Sequence, residues 1–242
     1  MTNIIHPLKD ILKQLYYHAI DCTSWIQPSG HDQIVKKRIA SVLIHTFSGD
    51  EGQRTNMQTG ELGYGLIHYA FIQNNKPKRI LCIGSRKGYI PAVCALACKS
   101  NGLGHVDFVD PGYGKSDVGK NWSGVGFWKK NDPGAHFQKL GLHSWITTHV
   151  TTSREFSKQH KSRIYDYVYI DGNHSYEGIK TDYQLFWPKL KSGGFMVLHD
   201  VVAKGTLDGG VFGVHKFWKE LNHKHTILFP LPRVSGLGII QK

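Results

Sequence analysis

The sequence predicts an α/β fold. The expected core is a seven-stranded, mostly parallel sheet with an antiparallel last strand. Helices cover both faces, and a helical cap precedes the sheet. Three observations carry this. From Arg79 onward, short apolar runs alternate with helix-period segments, as in parallel sheets buried on both faces. The first run ends in a turn bounded by glycines, Gly84-Ser85-Arg86-Lys87-Gly88, which opens a helix. Two later runs, Tyr167–Ile170 and Phe195–Leu198, each end in an acid, Asp171 and Asp200. The carboxyl ends of such strands form the edge at which open α/β sheets bind ligands.

The elements follow in order. Leu8–Ile20 and Gln33–Phe47 read as helices, the second because Ile34, Val35, Ile39, Val42 and Leu43 recur at helical spacing. Pro28-Ser29-Gly30 separates them. A polar loop spans Ser48–Gly60, and a third helix runs from about Leu62 to Asn74, stopping before Pro77. Arg79–Ile83 is the first strand, and Ile90–Cys98, rich in Ala and Cys, is a helix suited to burial. Val106–Val109 is the second strand, ending in Asp110. A Gly-rich insertion, Pro111–Gly134, leads to a helix near His136–Leu140 and a strand near Trp145–His149. Tyr167–Ile170 and Phe195–Leu198 are the next strands. They are separated by a helix-like segment and a Gly193-Gly194 turn. A helix over Val214–Leu221 precedes strands Thr226–Phe229 and Leu237–Ile240. No helix separates these last two, so they are expected to pair antiparallel. The expected organisation is a cap and loop over 1–60 and a ligand-binding domain over 61–242.

Bulk composition narrows the function classes. The chain has 242 residues, 40% hydrophobic and 20% charged, enough for a sizeable globular core. No apolar run approaches the ~20 residues of a membrane helix. Lys9, Asp10, Lys13 and His18 interrupt the N-terminus, so it does not read as a signal peptide, and a cytoplasmic location is expected. None of the four cysteines (Cys22, Cys82, Cys94, Cys98) has zinc or redox spacing, which points to buried reduced thiols. The formal net charge is +12. That balance suits nucleic acid, an acidic surface or an anionic small ligand. The cations are scattered, and the densest groups, Lys36-Lys37-Arg38 and Lys129-Lys130, are short. A surface facing a negatively charged cofactor or substrate is favoured over nucleic acid. The chain is also compatible with a homo-oligomer.

The site chemistry reads from the loops. Gly84, Ser85 and Gly88 offer a backbone that a ligand can approach and free amides at a helix start. This turn is neither a full dinucleotide fingerprint nor a phosphate loop. Asp110, downstream at a strand end, can accept both hydrogen bonds of a ribose diol, or be an ordinary turn aspartate before Pro111. Asp171 and Asp200 at neighbouring strand ends suit a hard divalent cation, although Asp171 can equally cap the helix that starts near Ser175. Tyr113, Trp122, Phe127 and Trp128 in the insertion can stack on a sugar or an adenine, or form a local apolar cluster.

Taken together, Leu81-Cys82-Ile83-Gly84-Ser85-Arg86-Lys87-Gly88, Asp110, and Tyr169-Ile170-Asp171-Gly172-Asn173-His174-Ser175-Tyr176 resemble the class I S-adenosylmethionine-dependent methyltransferases. The likeness covers about residues 60–242 and implies a Rossmann-like fold. The Asp-Gly-x-His-Ser-Tyr stretch, the Leu-Lys-Ser-Gly-Gly turn and His199-Asp200 are similar to one branch. That branch contains the metal-dependent sugar O-methyltransferases of the macrocin and mycinamicin type and the cephalosporin-hydroxylase-like proteins.

The resemblance implies a cofactor, S-adenosylmethionine, bound by Gly84, Ser85, Gly88, Asp110 and, at the adenine, Ser153. It implies a divalent metal, Mg or Mn, held by Asp171 and Asp200. It implies His174 as general base, with Asp171 also in the catalytic set, and a small-molecule or glycosidic hydroxyl as acceptor. The chain departs from the pattern twice. Cys82 stands where the family often has an acid that contacts the cofactor amino group. His199 stands where the macrolide enzymes tend to have Glu. As a ligand His199 tilts the site from magnesium toward manganese, iron or zinc; as a non-ligand it is a supporting or core histidine. Two other readings stand beside this one: a nucleic-acid methyltransferase, suggested by charge, and a catalytically silent cofactor-binding module, suggested by Cys82 and His199. Asp171-Gly172-Asn173-His174 is not the Asn/Asp-Pro-Pro-Tyr motif that amino-group methylation of nucleic acids needs.

Overall fold

A computed structural model describes residues 38–48, 53–56, 60–114, 117, 126–207, 210–222, 226–231 and 235–242. The helix expected over Leu8–Ile20, the start of the one over Gln33–Phe47, Cys22 and Trp122 lie outside these residues. Residues 38–42 are helical and continue into a π-helical turn, Leu43–Phe47, whose Leu43, Ile44 and Phe47 are buried.

Helix α1, Tyr64–Asn75, stops at Lys76, which takes a left-handed conformation (φ 46) just before Pro77. Strand β1, Arg79–Ile83, is buried at every position after the first. Helix α2, Tyr89–Asn101, starts on Gly88 (φ 84) and ends on Gly102 (φ 62), both left-handed positions that favour glycine. Strand β2 is His105–Val109. Two short helices follow, α3 at Phe127–Lys130 and α4 at Pro133–Gln138, the second capped by the Asp132 carboxylate. Strand β3, Ile146–His149, leads to helix α5, Ser153–Gln159, started by a Thr152–Glu155 capping box. Strand β4, Tyr165–Ile170, helix α6, Tyr176–Phe186, and strand β5, Leu190–His199, complete the acid-bearing region. A two-stranded hairpin, β6 (Thr206–Leu207) and β7 (Gly210–Val211), precedes helix α7, Val214–Glu220. Strands β8, Thr226–Leu231, and β9, Ser235–Gln241, close the chain.

The seven expected strands form one sheet, ordered β3-β2-β1-β4-β5-β9-β8. The first five are parallel. Strand β9 inserts antiparallel between β5 and β8, so the antiparallel strand is the penultimate one in space. Three expectations change. Gly193-Gly194 is not a separating turn but lies within β5, whose pairing to β4 slips between Tyr165 and Tyr167. Helix α5 and the β6–β7 hairpin were not anticipated.

Strand alternation sorts the core into two layers. Ile80, Cys82, Val106, Phe108, Tyr167, Tyr169 and Val197 face α1 and α2. Leu81, Ile83, Val109, Val168, Ile170, Met196 and Leu198 face the side of α5, α6 and α7, where Phe156, Ile179, Phe186, Val214 and Phe217 pack. Cys82, Cys94 and Cys98 are free and buried, as expected of structural thiols. Among the described residues no helix is long and apolar enough to cross a membrane.

Candidate active site

Chain direction across the sheet reverses between β1 and β4, and their carboxyl ends lie side by side. Hydrogen bonding continues past the strands there. Gly84 N–H donates to Val109 O at 2.8 Å, Asp171 N–H to Ile83 O at 2.8 Å, and Asp110 N–H to His149 O at 3.1 Å. Three loops therefore leave one edge together: Gly84–Gly88, Asp110–Gly112 and Asp171–Ser175.

The glycine turn is forced from inside the protein. Gly84 has φ +70, and a β-carbon on it would lie 2.3 Å from the Asp171 carbonyl oxygen. Gly88 (φ +84) faces the Phe137 ring at 2.9 Å and Trp128 at 3.1 Å on the same construction. Those aromatics belong to a local cluster. Trp128 stacks on Phe137 (5.7 Å, 9°) and meets Phe108 edge-on at 5.2 Å, while Phe127 packs on Trp128 and His136. Lys129 Nζ lies over the Tyr113 ring at 5.7 Å.

Asp110 stands beside this turn. Its Oδ1 accepts from the Gly112 amide at 2.7 Å. Burial pushes its carboxyl up to about 6, against the pull of the Gly112 and Ser85 amides, with Asp171 adding repulsion. Ser153 is the first residue of α5. Its hydroxyl bonds Asp182, a buried acid that desolvation raises to about 6.

The second loop pair carries the densest group of titratable side chains. Asp171, His174, His199 and Asp200 each place one ligand atom within 4.8 Å of the others. Asp171 follows β4; its helix-capping alternative falls away, because Ser175 is the residue that caps α6, accepting from Gly178 N–H. Asp200 follows β5 in a left-handed conformation (φ 60), uncommon outside glycine. His199 Nδ1 lies 3.0 Å from Asp171 Oδ1 and 3.3 Å from Asp200 Oδ1. His174 Nδ1 is paired with Asp200 Oδ2, and its Nε2 lies 3.7 Å from Asp171 Oδ1.

Electrostatics follow from this packing. Burial alone would depress both imidazoles. The carboxylates outweigh it, Asp171 and Asp200 at His199 and chiefly Asp200 at His174, so both are held above the ordinary histidine range. Desolvation disfavours the Asp200 anion, but the His199 and His174 charges and hydrogen bonds hold its carboxyl well below the usual range. Asp171 Oδ1 is buried and faced only by the two imidazoles, His199 Nδ1 at 3.0 Å and His174 Nε2 at 3.7 Å. Once the imidazoles give up their protons, two ring nitrogens and two carboxylates at these distances fit a divalent cation.

Several contributors were not visible in the sequence. Gln53, buried, donates from Nε2 to Tyr169 Oη at 3.0 Å and to Asp171 Oδ2 at 3.1 Å. Tyr169 donates to the same Oδ2 at 2.8 Å. His68 meets the Tyr169 ring edge-on at 4.7 Å and lies 2.7 Å from Tyr167 Oη; burial lowers its imidazole to about 3, so it is neutral. Tyr64 packs edge-on against His199 at 5.7 Å. Alternation within β4 placed Tyr169 on the face of α1, but no local signal tied it to Asp171. Gln53 belongs to the polar loop from Ser48 to Gly60.

Comparison with known proteins bears on the family and the fold. The family model described as a methyltransferase domain matches residues 81–201, from within β1 to just past Asp200. No curated protein matches the chain by sequence. Among solved structures it is similar to the O-methyltransferase TomG of Streptomyces achromogenes, involved in tomaymycin synthesis and in complex with S-adenosylmethionine. That match has TM-score 0.56 and 13% identity over 96% of each chain. An O-methyltransferase of Bacillus cereus in complex with S-adenosylhomocysteine gives 0.55 and 13%, covering 96% of this chain and 97% of that one. The S-adenosylhomocysteine-bound methyltransferase PaMTH1 of Podospora anserina gives 0.53 and 14%, covering 90% and 98%. At such identities the likeness speaks to the fold. The family match spans half the sequence and both candidate loops, and the chain belongs to the methyltransferase-domain family, with the Rossmann-like fold of the S-adenosylmethionine-dependent enzymes.

Proposed function

We propose that this methyltransferase acts on oxygen: it transfers the methyl group of S-adenosylmethionine to a hydroxyl of a sugar or other small molecule, assisted by a divalent ion, Mg or Mn, and by His174. One observation carries the reading. Asp171, His174, His199 and Asp200 converge within 4.8 Å at the ends of β4 and β5, against the Gly84 turn. The printed names of two similar structures, both O-methyltransferases, support it.

The residues divide the work. The amides of the Gly84-Ser85 turn and of the α2 start at Gly88 face the cofactor. Asp110 accepts from its ribose diol, and Ser153 offers its backbone amide at the start of α5 to the adenine side. Asp171, His199 and Asp200 would hold the ion. When bound, the ion lowers the pKa of a coordinated hydroxyl, and the sulfonium supplies the methyl. Asp200 uses Oδ2 to hold His174 through Nδ1. That contact orients the ring, and in the neutral form, with Nδ1–H on Asp200, Nε2 is left to take the hydroxyl proton. Gln53 and Tyr169 fix Asp171 through Oδ2, leaving Oδ1 turned toward the histidines.

A second reading rests on the His174–Asp200 pair itself. An oriented, carboxylate-backed imidazole can act as base without an ion. Calorimetric titration with S-adenosylhomocysteine, first in EDTA and then with Mg²⁺ or Mn²⁺, tests the cofactor and the ion separately. Turnover of a hydroxyl-acceptor library with and without EDTA tests the chemistry. Separate metal heat and EDTA-sensitive turnover are expected. Turnover indifferent to EDTA selects the metal-free dyad. No cofactor binding in any condition removes the proposal.

A further inference from the structure

We propose that the side-chain carbonyl of Gln53 receives the α-ammonium of the sulfonium cofactor, an inference that rests on the function proposed above. Gln53 is 2% exposed. Its Nε2 is committed to two acceptors, Tyr169 Oη and Asp171 Oδ2. An ionised carboxylate only accepts, so the amide cannot be turned the other way round. Oε1 is left buried with no hydrogen-bond partner. A buried acceptor in that state calls for a donor from outside the chain.

Geometry selects the donor. The ion's prospective ligands approach Asp171 from Oδ1, where His199 Nδ1 lies at 3.0 Å and His174 Nε2 at 3.7 Å. Gln53 holds the other oxygen, Oδ2, at 3.1 Å. Tyr169, its second partner, pairs along the strand with Cys82, at the root of the Gly84 turn. A cofactor seated at that turn carries one strong donor on its amino-acid end, the ammonium. Strand β1 offers no side-chain acceptor for it. Cys82 is buried, and its thiol is engaged with Cys94. A neutral amide oxygen meets an ammonium without adding a third negative charge beside Asp171 and Asp200.

The test compares two ligands by calorimetry on the full chain: S-adenosylhomocysteine and the analogue lacking its α-amine. The wild type should prefer the amine-bearing ligand by about ten- to a hundredfold, the scale of one hydrogen bond to a charged group. Gln53→Met should bind both alike. Loss of fixation at Asp171 alone would not alter that ratio. If Gln53→Met does not fold, Gln53→Asn, which withdraws the amide by one methylene, should lose the preference in the same way. Equal affinities in the wild type, or an undiminished preference in either variant, overturn the inference and leave the cofactor assignment standing. Failure of the wild type to bind S-adenosylhomocysteine overturns the cofactor assignment itself and this inference with it.

Discussion

A β-carbon on Gly84 would lie 2.3 Å from the carbonyl oxygen of Asp171. The turn after β1 and the loop after β4 are thereby one unit: the backbone proposed to face the cofactor is pressed against Asp171, a member of the carboxylate and histidine cluster. Gly84→Ala must both adopt φ +70 and push the Asp171 main chain away. We expect a loss of about 3 kcal/mol in stability, from strain plus displacement. Urea denaturation checks it, and a variant as stable as the wild type would show that the two loops separate freely.

Asp110→Ala should weaken S-adenosylhomocysteine binding by about 1–3 kcal/mol, the scale of lost hydrogen bonds to a charged group. A pH dependence accompanies it. The Asp110 carboxyl is raised to about 6 by burial. Below that pH it protonates and can no longer accept both diol hydrogens. Wild-type affinity should therefore fall as pH drops through about 6, while Asp110→Ala stays flat across the same range. Parallel pH profiles for the two proteins in calorimetry would reject the diol role.

Asp182→Asn should make the protein more stable at neutral pH. Burial raises the Asp182 carboxyl to about 6, against the Ser153 hydrogen bond. In the unfolded chain it titrates near about 3.9. Between these values the folded state holds more protons than the unfolded state, so stability falls as pH rises through the window. Above about pH 6 the buried anion costs on the order of 3 kcal/mol. Asparagine keeps the shape and the acceptor for Ser153 without that charge. Melting curves at pH 4.5 and 7.5 should show the variant gaining on the wild type at the higher pH; equal shifts at both would refute the assignment.

His174→Ala should lower the methyl-transfer rate by about a hundredfold or more, the usual contribution of a positioned base, with little change in cofactor affinity. Asp171→Ala should abolish the heat of metal binding while cofactor binding largely survives. It also leaves buried His199 without its 3.0 Å partner, so a lower melting temperature is expected. Wild-type rates for His174→Ala across pH 6–9 would exclude it as base, and an unchanged metal heat in Asp171→Ala would remove that ligand.

Much of the architecture was legible because it is periodic. The strand around Cys82 is apolar on both faces, since both faces are buried, and its end at Gly84 is marked by a residue that tolerates positive φ. Asp110, Asp171 and Asp200 each close such a run, and strand direction alone sends them to one edge. Helix α5 was legible in principle. Thr152 and Glu155 stand at capping-box spacing, but its short apolar pattern hid it. The β6–β7 hairpin, with two residues in each strand, is too short for alternation to reveal.

The sequence by itself determined the alternation of strand and helix, the family's turn and the acids at strand ends. These depend on residue type and spacing along one stretch of chain. Only the tertiary structure decided that His199 turns toward Asp171, that Asp200 splits its oxygens between His174 and His199, and that Gln53 grips Asp171 from a distant loop. Those relationships join residues brought together by sheet order and loop packing. Hydrogen bonds between separate loops depend on directions and distances in space, and linear spacing carries no record of them.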